Sequence, residues 1–200
     1  LTPLLRLAGL VALAILVVVL LAVWVQGCAA EDEQVTYGDY MGEIDAVGTD
    51  SAKIGADLAT LLTTPGLAQT ELETRLGGLI QQQELDSQRA RDVDAPGPLT
   101  PAHENAIRAL DLRVSGLQGM LDTFRATKDT QDATAAGRRL ATQGQRLEAS
   151  DVVWRDLFQG VATVAMTAEG VEGVTAPASV FVENADLYTA RSMSSIWQRV

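Results

Sequence analysis

The sequence has little cysteine, histidine or basic residue content, and each shortage excludes a class of protein. A single cysteine excludes an internal disulfide framework, and a single histidine excludes most zinc and haem sites. Only 15 Lys and Arg stand against 26 Asp and Glu, which gives a net charge of −11. A protein that binds duplex nucleic acid needs a basic surface, so we expect no nucleic-acid partner. We also expect no metal and no cofactor.

Catalytic motifs are missing as well. The chain has no GxSxG elbow, no HExxH helix and no glycine-rich phosphate loop. His103 falls on the apolar side of a predicted helix, and no motif supplies it with a nucleophile or a carboxylate partner, so we interpret it as a partly buried structural histidine. Arg138, Arg139 and Arg146 form a small basic cluster that we expect to pair with acids on a neighbouring helix. We predict no catalytic residues and no enzyme.

One long apolar run is present near the start of the chain. Residues 7–25 are uncharged and mostly apolar, and as a helix they would span about 28 Å, the thickness of a bilayer hydrocarbon core. Arg6 is the only charge before the run, whereas an acidic triplet follows it at 31–33. The positive-inside rule therefore predicts a single-pass cell-membrane protein with a cytoplasmic N-terminus, held in the lipid bilayer through 7–25, and with residues 29–200 extracytoplasmic.

Three fates are open for this N-terminal segment. Its length and unbroken hydrophobicity favour a signal anchor over residues 1–28 that stays in the mature protein. Alternatively, the stretch from Val25 to Cys28 (VQGC) approximates a lipobox, which makes Cys28 a possible lipidation site, although Gln26 fits poorly there. Cleavage after Ala30 has the weakest support. All three fates place the rest of the chain outside the cytoplasm.

The remaining residues have a helical pattern that proline and glycine divide into segments. Amphipathic helices are predicted at about 34–63, 70–94, 101–127 and 131–159. The third has the clearest apolar face, at heptad spacing: His103, Ile107, Leu110, Val114, Leu117, Leu121 and Phe124. Short connections between long helices predict an all-α fold, an antiparallel up-and-down four-helix bundle over residues 29–160.

Local signals refine the predicted helix ends. Thr70 with Glu73 has the spacing of a capping box, which predicts the start of the second helix. Thr100 before Pro101 predicts the N-cap of the third helix. The polar stretch that begins at Gln81 predicts an exposed far end for the second helix.

The C-terminal region, residues 161–200, differs in character from the bundle. We expect a short helix from Val161, an extended and turn-rich segment over 170–182, and one or two short helices in 184–200. This partly irregular tail is predicted to pack across the open end of the bundle or to lead to a missing downstream domain. The aromatic residues are interpreted as core: Trp154, Phe158, Tyr188 and Trp197.

Several stretches carry a resemblance to known proteins: Leu62–Leu67 (LTTPGL), Pro96–Leu99 (PGPL), Leu112–Gly119 (LRVSGLQG), Ala149–Trp154 (ASDVVW), Asp156–Phe158 (DLF), Met193 and Ile196–Arg199 (IWQR). Together they resemble a group of uncharacterised, membrane-anchored bacterial proteins with a signal anchor and a helical exported domain. The resemblance implies no activity, ligand or catalytic residue. It implies that fuller relatives continue into a β-rich, immunoglobulin-like domain.

These observations favour a binding or structural role. We expect a membrane-anchored helical module that acts through protein interaction at the cell surface. An extracytoplasmic ligand-sensing bundle is the alternative, because such bundles behind one membrane helix are a common receptor layout. An enzyme that acts on envelope polymers is the third possibility, but the sequence shows no acid/base pair for it.

Overall fold

The computed structural model describes residues 16–17 and 34–200. All regular secondary structure in these ranges is helical. Apart from Leu16 and Val17, the predicted membrane run at 7–25 lies outside the described residues, as does Cys28. Within residues 16–17 and 34–200, no helix combines the length and the hydropathy that crossing a bilayer requires.

The described helices follow the four predicted segments and the short helices expected from Val161 and within 184–200. The helices are α1 (Thr2–Thr63, described at 16–17 and 34–63), α2 (Gln69–Asp92), α3 (Thr100–Thr127), α4 (Ala133–Val152), α5 (Gly160–Ala168) and α6 (Ala190–Trp197). The shorter elements are 3-10 turns at Gly97–Leu99 and Ala185–Tyr188 and a π-helical segment at Val153–Gln159. The prediction of an all-helical chain is confirmed for the described part.

Side-chain contacts show that α2 and α3 run in opposite directions. Gln118 in the middle of α3 donates from Nε2 to Glu84 Oε1 on α2 at 2.7 Å. Arg125, further along α3, donates from Nε to Oε2 of Glu73, nearer the start of α2, at 3.1 Å. Partners therefore move backward along α2 as the chain moves forward along α3, which is the antiparallel arrangement of a helical bundle.

Two glycines on α3 allow it to approach α4 closely. A Cβ atom at Gly116 would lie 2.5 Å from Leu147 Cδ2, and one at Gly119 would overlap the side chain of Gln143. The helices are therefore closer here than two larger residues would permit. The predicted apolar face of α3 is buried at its centre, where Leu110 is fully enclosed.

The start of α2 differs from the prediction. The helix begins at Gln69 after Ala68, with no side-chain cap, so the capping box proposed for Thr70 and Glu73 is wrong. The tight turn before it, in which Gly66 has φ +70°, delivers the chain to the helix one residue earlier than expected. Glu73 instead accepts a hydrogen bond from Gln69 Nε2 at 3.0 Å.

The start of α3 also differs from the prediction. Thr100 is already helical, and Leu99 precedes it as the N-cap residue without a side-chain bond. The predicted N-cap is wrong because the 3-10 turn at Gly97–Leu99 leads directly into the helix. Pro101 lies in the first turn, where its missing N–H costs no intrahelical bond.

The far end of α2 is mostly exposed, as predicted, but one face of it is buried. Gln83, Asp86 and Ser87 are at most 5% exposed despite their polarity. Two of these residues bond to the flanking helices: Ser51 donates to Gln83 at 2.7 Å, and Ser87 donates to Asp111 at 2.6 Å. Polarity therefore predicted the exposed side of this stretch but not its buried face.

The fourth predicted helix and the short helix predicted from Val161 form one continuous path that contains a π turn. The π-helical segment Val153–Gln159 joins α4 to α5, so the helical path has no break near 159. Trp154 and Phe158 are buried as predicted, whereas Leu157 is 45% exposed. The wider π turn rotates Leu157 away from the core.

The tail runs back along the bundle instead of covering one end. Residues 177–182 pass α1 and α4, where Trp154 Nε1 donates to the carbonyl of Pro177 at 2.9 Å. Small residues leave the room: a Cβ atom at Gly144 would lie 2.6 Å from Tyr188 Cβ, and one at Gly137 would overlap Ser194. The prediction of a tail across the open end is thus corrected.

Candidate functional site: a buried arginine layer

The core of the bundle is divided into two apolar clusters by a polar layer. One cluster contains residues 37–47 of α1 with Trp154 and Phe158, and the other contains Leu58, Leu117 and the tail aromatics. Each long helix contributes a buried polar residue between them. The members of this arginine layer are Ser51, Gln83, Arg113, Ser150 and, from the tail, Ser179.

Arg113 lies at the centre of the arginine layer and is completely buried. Its Nε donates to Ser150 Oγ at 3.2 Å, and Nη1 donates to Ser51 Oγ at 2.8 Å and to Ser179 Oγ at 2.7 Å. Nη2 donates to the Ser179 carbonyl and to Asp151 Oδ1, both at 3.0 Å. All five N–H donors of the guanidinium are therefore satisfied.

The positive charge of Arg113 is balanced inside the layer. Burial lowers the pKa of Arg113 to about 10, while the neighbouring carboxylate of Asp151 opposes that shift. The guanidinium also lies 5.3 Å from the ring centroid of Trp154 and 5.2 Å from that of Phe181. Cation–π contacts at these distances stabilise a desolvated cation, so Arg113 stays charged at neutral pH.

Asp151 links the layer to the tail. Its Oδ1 accepts from the backbone N–H of Phe181 and its Oδ2 from that of Val182, both at 2.9 Å. Ser179 extends the link to α1, because its Oγ donates to the Gly48 carbonyl at 2.7 Å. The extended segment, which has no helix or sheet to satisfy its backbone, is thereby fastened to the bundle.

The arginine layer is a closed structural site. The donors of Arg113 and of the three serines are used within the protein, whereas Gln83 Nε2 has no partner among the described residues. No group in it combines an exposed nucleophile with a free base, which is what acid/base or covalent catalysis would require. The arrangement holds four helices and the tail in one register.

His103 lies apart from this layer, in the apolar cluster near the start of α3. It is 8% exposed, and its Nδ1 lies 3.2 Å from the hydroxyl of Tyr40 on α1. Burial lowers the pKa of His103, which favours the neutral ring. The contact joins α1 to α3 and matches the predicted position of a histidine at a helix start.

The predicted basic cluster does not pair with acids. Arg138, Arg139 and Arg146 are exposed on α4, and within the described part of the chain none has a carboxylate oxygen within 4.0 Å. That prediction is wrong because these side chains face solvent rather than a neighbouring helix. Among the residues described, no group of three or more His, Cys, Asp or Glu is placed to hold a metal ion.

A shallow groove between α1 and α2 is lined in part by charged side chains. Its volume is about 350 Å³, and its charged lining includes Asp50, Asp86 and Arg89. Arg89 Nη1 lies 2.9 Å from Asp50 and 3.1 Å from Asp86, so these charges are paired with each other. Burial raises the pKa of Asp86, and Arg89 lowers the pKa of Asp50.

Sequence reasoning missed Arg113, although a signal for it was present. Ser51 and Gln83 are polar residues on otherwise apolar helix faces, and both lie at the same level of the bundle. Arg113 lies on α3 between Leu110 and Leu117, beside the apolar face of the helix. From that position its long side chain reaches into the core.

Comparison with protein families, with curated proteins and with solved structures finds no match to this chain.

Proposed function

We propose that the chain is a membrane-anchored, extracytoplasmic interaction module, in which a rigid helical bundle holds a binding surface away from the cell membrane. The anchor in this proposal is the run at 7–25, and its cytoplasmic end is the N-terminus. The resemblance to membrane-anchored exported proteins has the same implication.

The observation that carries the proposal is that the described chain enters and leaves the bundle at opposite ends. Gln34 lies at one end, where its Nε2 donates to the Glu172 carbonyl at 2.7 Å. Trp197 lies at the other, where its Nε1 donates to Thr127 Oγ1 at 2.9 Å. From Gln34 to Leu62, α1 rises about 42 Å, so a partner at the far end is held that distance from the anchor.

Two further features support a mechanical rather than a chemical role. The arginine layer fixes the helices and the tail to each other, which suits a spacer that must keep its length. Leu16 and Val17, the described residues of the apolar run, are 55% and 46% exposed. Apolar side chains exposed on a helix suit contact with lipid.

The ligand-sensing alternative takes its support from the groove between α1 and α2. Asp86, which is buried there and paired with Arg89, would respond to a cation bound in the groove. The mutual pairing of the charges in the groove favours the spacer over the sensor, because a ligand would have to displace existing ion pairs.

Labelling of single cysteines tests the proposed topology. In full-length Cys28→Ser protein, Thr64→Cys places a thiol in the far loop, and Thr2→Cys places one before the apolar run. We expect a membrane-impermeant maleimide to label Thr64→Cys in intact cells and Thr2→Cys only after permeabilisation. Recovery of the protein in the soluble fraction after lysis, or the reverse labelling pattern, would contradict the proposal.

A further inference from the structure

An exposed apolar stripe follows the helical path from the end of α4 through α5. Val152, Leu157, Val161 and Val164 are 47%, 45%, 36% and 71% exposed, and Ala168 is exposed at the end. We name these five residues the α5 seam. Isolated exposed apolar residues are ordinary, but a continuous line of them on one helix marks an interaction surface.

The π turn aligns the two parts of this seam. The Gly160 N–H bonds to the Arg155 carbonyl five residues back, as in a π-helix. Residues five apart share a face in this wider turn, which brings Val152 into line with Leu157. From there, Leu157, Val161, Val164 and Ala168 have 4-3-4 spacing, the heptad spacing with which helices pack against each other.

The opposite face of the same helical path is committed to the core. Trp154, Phe158, Ala162 and Met166 are buried at a constant spacing of four residues. An α-helix drifts by about 40° over every four residues, and the π turn offsets that drift. The same turn therefore keeps one face inside and presents the α5 seam outside.

The distribution of charged residues indicates which partner packs against the α5 seam. Residues 157–168 contain no charged residue, whereas the chain as a whole has a net charge of −11. Two copies would repel each other over most of their surface, and this uncharged strip is where they can approach closely. An anionic lipid surface is disfavoured, because no Lys or Arg occurs between Arg155 and Arg191 and Glu169 follows the seam.

We propose that a second copy of this chain packs its own α5 seam against this one in parallel, as in a two-stranded coiled coil. The parallel direction rests on the proposed anchor, which would hold both copies upright in one membrane. Four large side chains per copy form a small interface compared with the roughly 1,200 Å² of a stable one. Confinement to a membrane raises the effective concentration and favours such a weak dimer.

Disulfide trapping in the membrane tests this interface. In full-length Cys28→Ser protein, Val164→Cys places the single thiol in the seam, next to its counterpart in a parallel dimer. Thr163→Cys is the matched control, because it is exposed on the same turn but lies about 100° round the helix. Under mild oxidation, we expect the disulfide-linked dimer to form at least tenfold faster with Val164→Cys than with Thr163→Cys.

Other results would overturn the proposal. Equal rates at the two positions would indicate random collision, and the absence of a dimer at Val164→Cys would exclude a parallel seam. Quenching of a fluorophore on Val164→Cys by nitroxide lipids, without a dimer, would show that the seam contacts lipid. A seam-specific dimer of protein found in the soluble fraction would support the interface while contradicting the membrane anchor, so the two failures are distinguishable.

Discussion

Arg113 on α3 and Ser179 in the tail are joined by two hydrogen bonds, from Nη1 to the Ser179 hydroxyl at 2.7 Å and from Nη2 to its carbonyl at 3.0 Å. The two residues are 66 positions apart in sequence. Arg113 therefore does more than fill a polar position between helices: it binds the backbone of a segment that has no regular structure of its own. The order of the tail depends on a cation in the centre of the bundle.

A fragment of residues 31–200 should be soluble and mainly helical. The charged residues lie almost entirely in this part, and the buried faces of its helices are satisfied by each other. Far-ultraviolet circular dichroism of the purified fragment checks this prediction. A spectrum dominated by β-structure or by coil would contradict the bundle.

Arg113→Ala should destabilise the same fragment by about 3–5 kcal/mol, because it removes the charged partner of Asp151 and the donor to three buried hydroxyl groups. Urea unfolding measures the change in the free energy of unfolding. Arg139→Ala is the matched control: Arg139 is exposed and has no carboxylate within 4.0 Å in the described chain, so its loss should change stability by less than about 0.5 kcal/mol. Similar effects of the two variants would show that the arginine layer is not structural.

Asp151→Asn should loosen the tail more than the bundle. The amide retains one acceptor for the backbone N–H groups of Phe181 and Val182, but it loses the charge that balances Arg113. Hydrogen exchange should therefore accelerate over residues 177–197 before it accelerates in α2. Asp156→Asn is the control, since Asp156 is exposed and, among the described residues, pairs only with Arg155. Uniform acceleration across the fragment would argue against a specific link to the tail.

The helices were predictable because their signals are local. Apolar residues at heptad spacing predicted α3, and the Pro65–Gly66 turn predicted the end of α1. Such patterns depend on residues within a few positions of each other. They fail where a neighbouring turn changes the helix start, as at Thr70 and Thr100, because the path of the chain before the helix decides which residue caps it.

The arginine layer was not predictable in the same way, because its partners come from four helices and the tail. In the sequence, Arg113 has the pattern of a solvent-facing residue. Only the fold places Ser51, Ser150 and Ser179 at its level of the bundle. The π turn was equally hidden. Its only sign in the sequence is the constant spacing of four between residues that the fold buries. Of these residues, Phe158 was predicted to lie in the core and Ala162 was not.

Gly55→Ala should destabilise the fragment by about 1–3 kcal/mol, because the new Cβ would overlap the carbonyl group of Phe181, which is held in place by Asp151. Gly42→Ala is the matched control on the same helix. Nothing lies within 4 Å of the position of its Cβ, so alanine should stabilise α1 by about 0.5–1 kcal/mol. Thermal or urea unfolding compares the two, and opposite signs are expected. A gain in stability at Gly55 would show that the tail does not pack against α1.

The stability of the fragment should fall as the pH drops below about 6.5, and His103 should account for part of that fall. The ring has an ordinary pKa of 6.5, and burial lowers its pKa in the folded state. Between the folded and unfolded values, the unfolded chain binds a proton that the folded chain excludes, so protonation favours unfolding. The stabilisation is fully present above the unfolded pKa and is lost as the pH falls toward the folded pKa.

His103→Gln removes this titration while keeping a polar side chain opposite Tyr40. Urea unfolding at pH 7.5 and pH 5.5 should give a smaller loss of stability for His103→Gln than for the wild type. The carboxylates, including Asp86, whose pKa is raised by burial, are the same in both proteins. Their contribution to the pH dependence of stability is therefore the same background in each. Glutamine is less well packed than imidazole, so His103→Gln should be the less stable protein at pH 7.5, and the difference should narrow at pH 5.5. A difference that stays constant or widens would mean that His103 is protonated as readily in the folded chain as in the unfolded one.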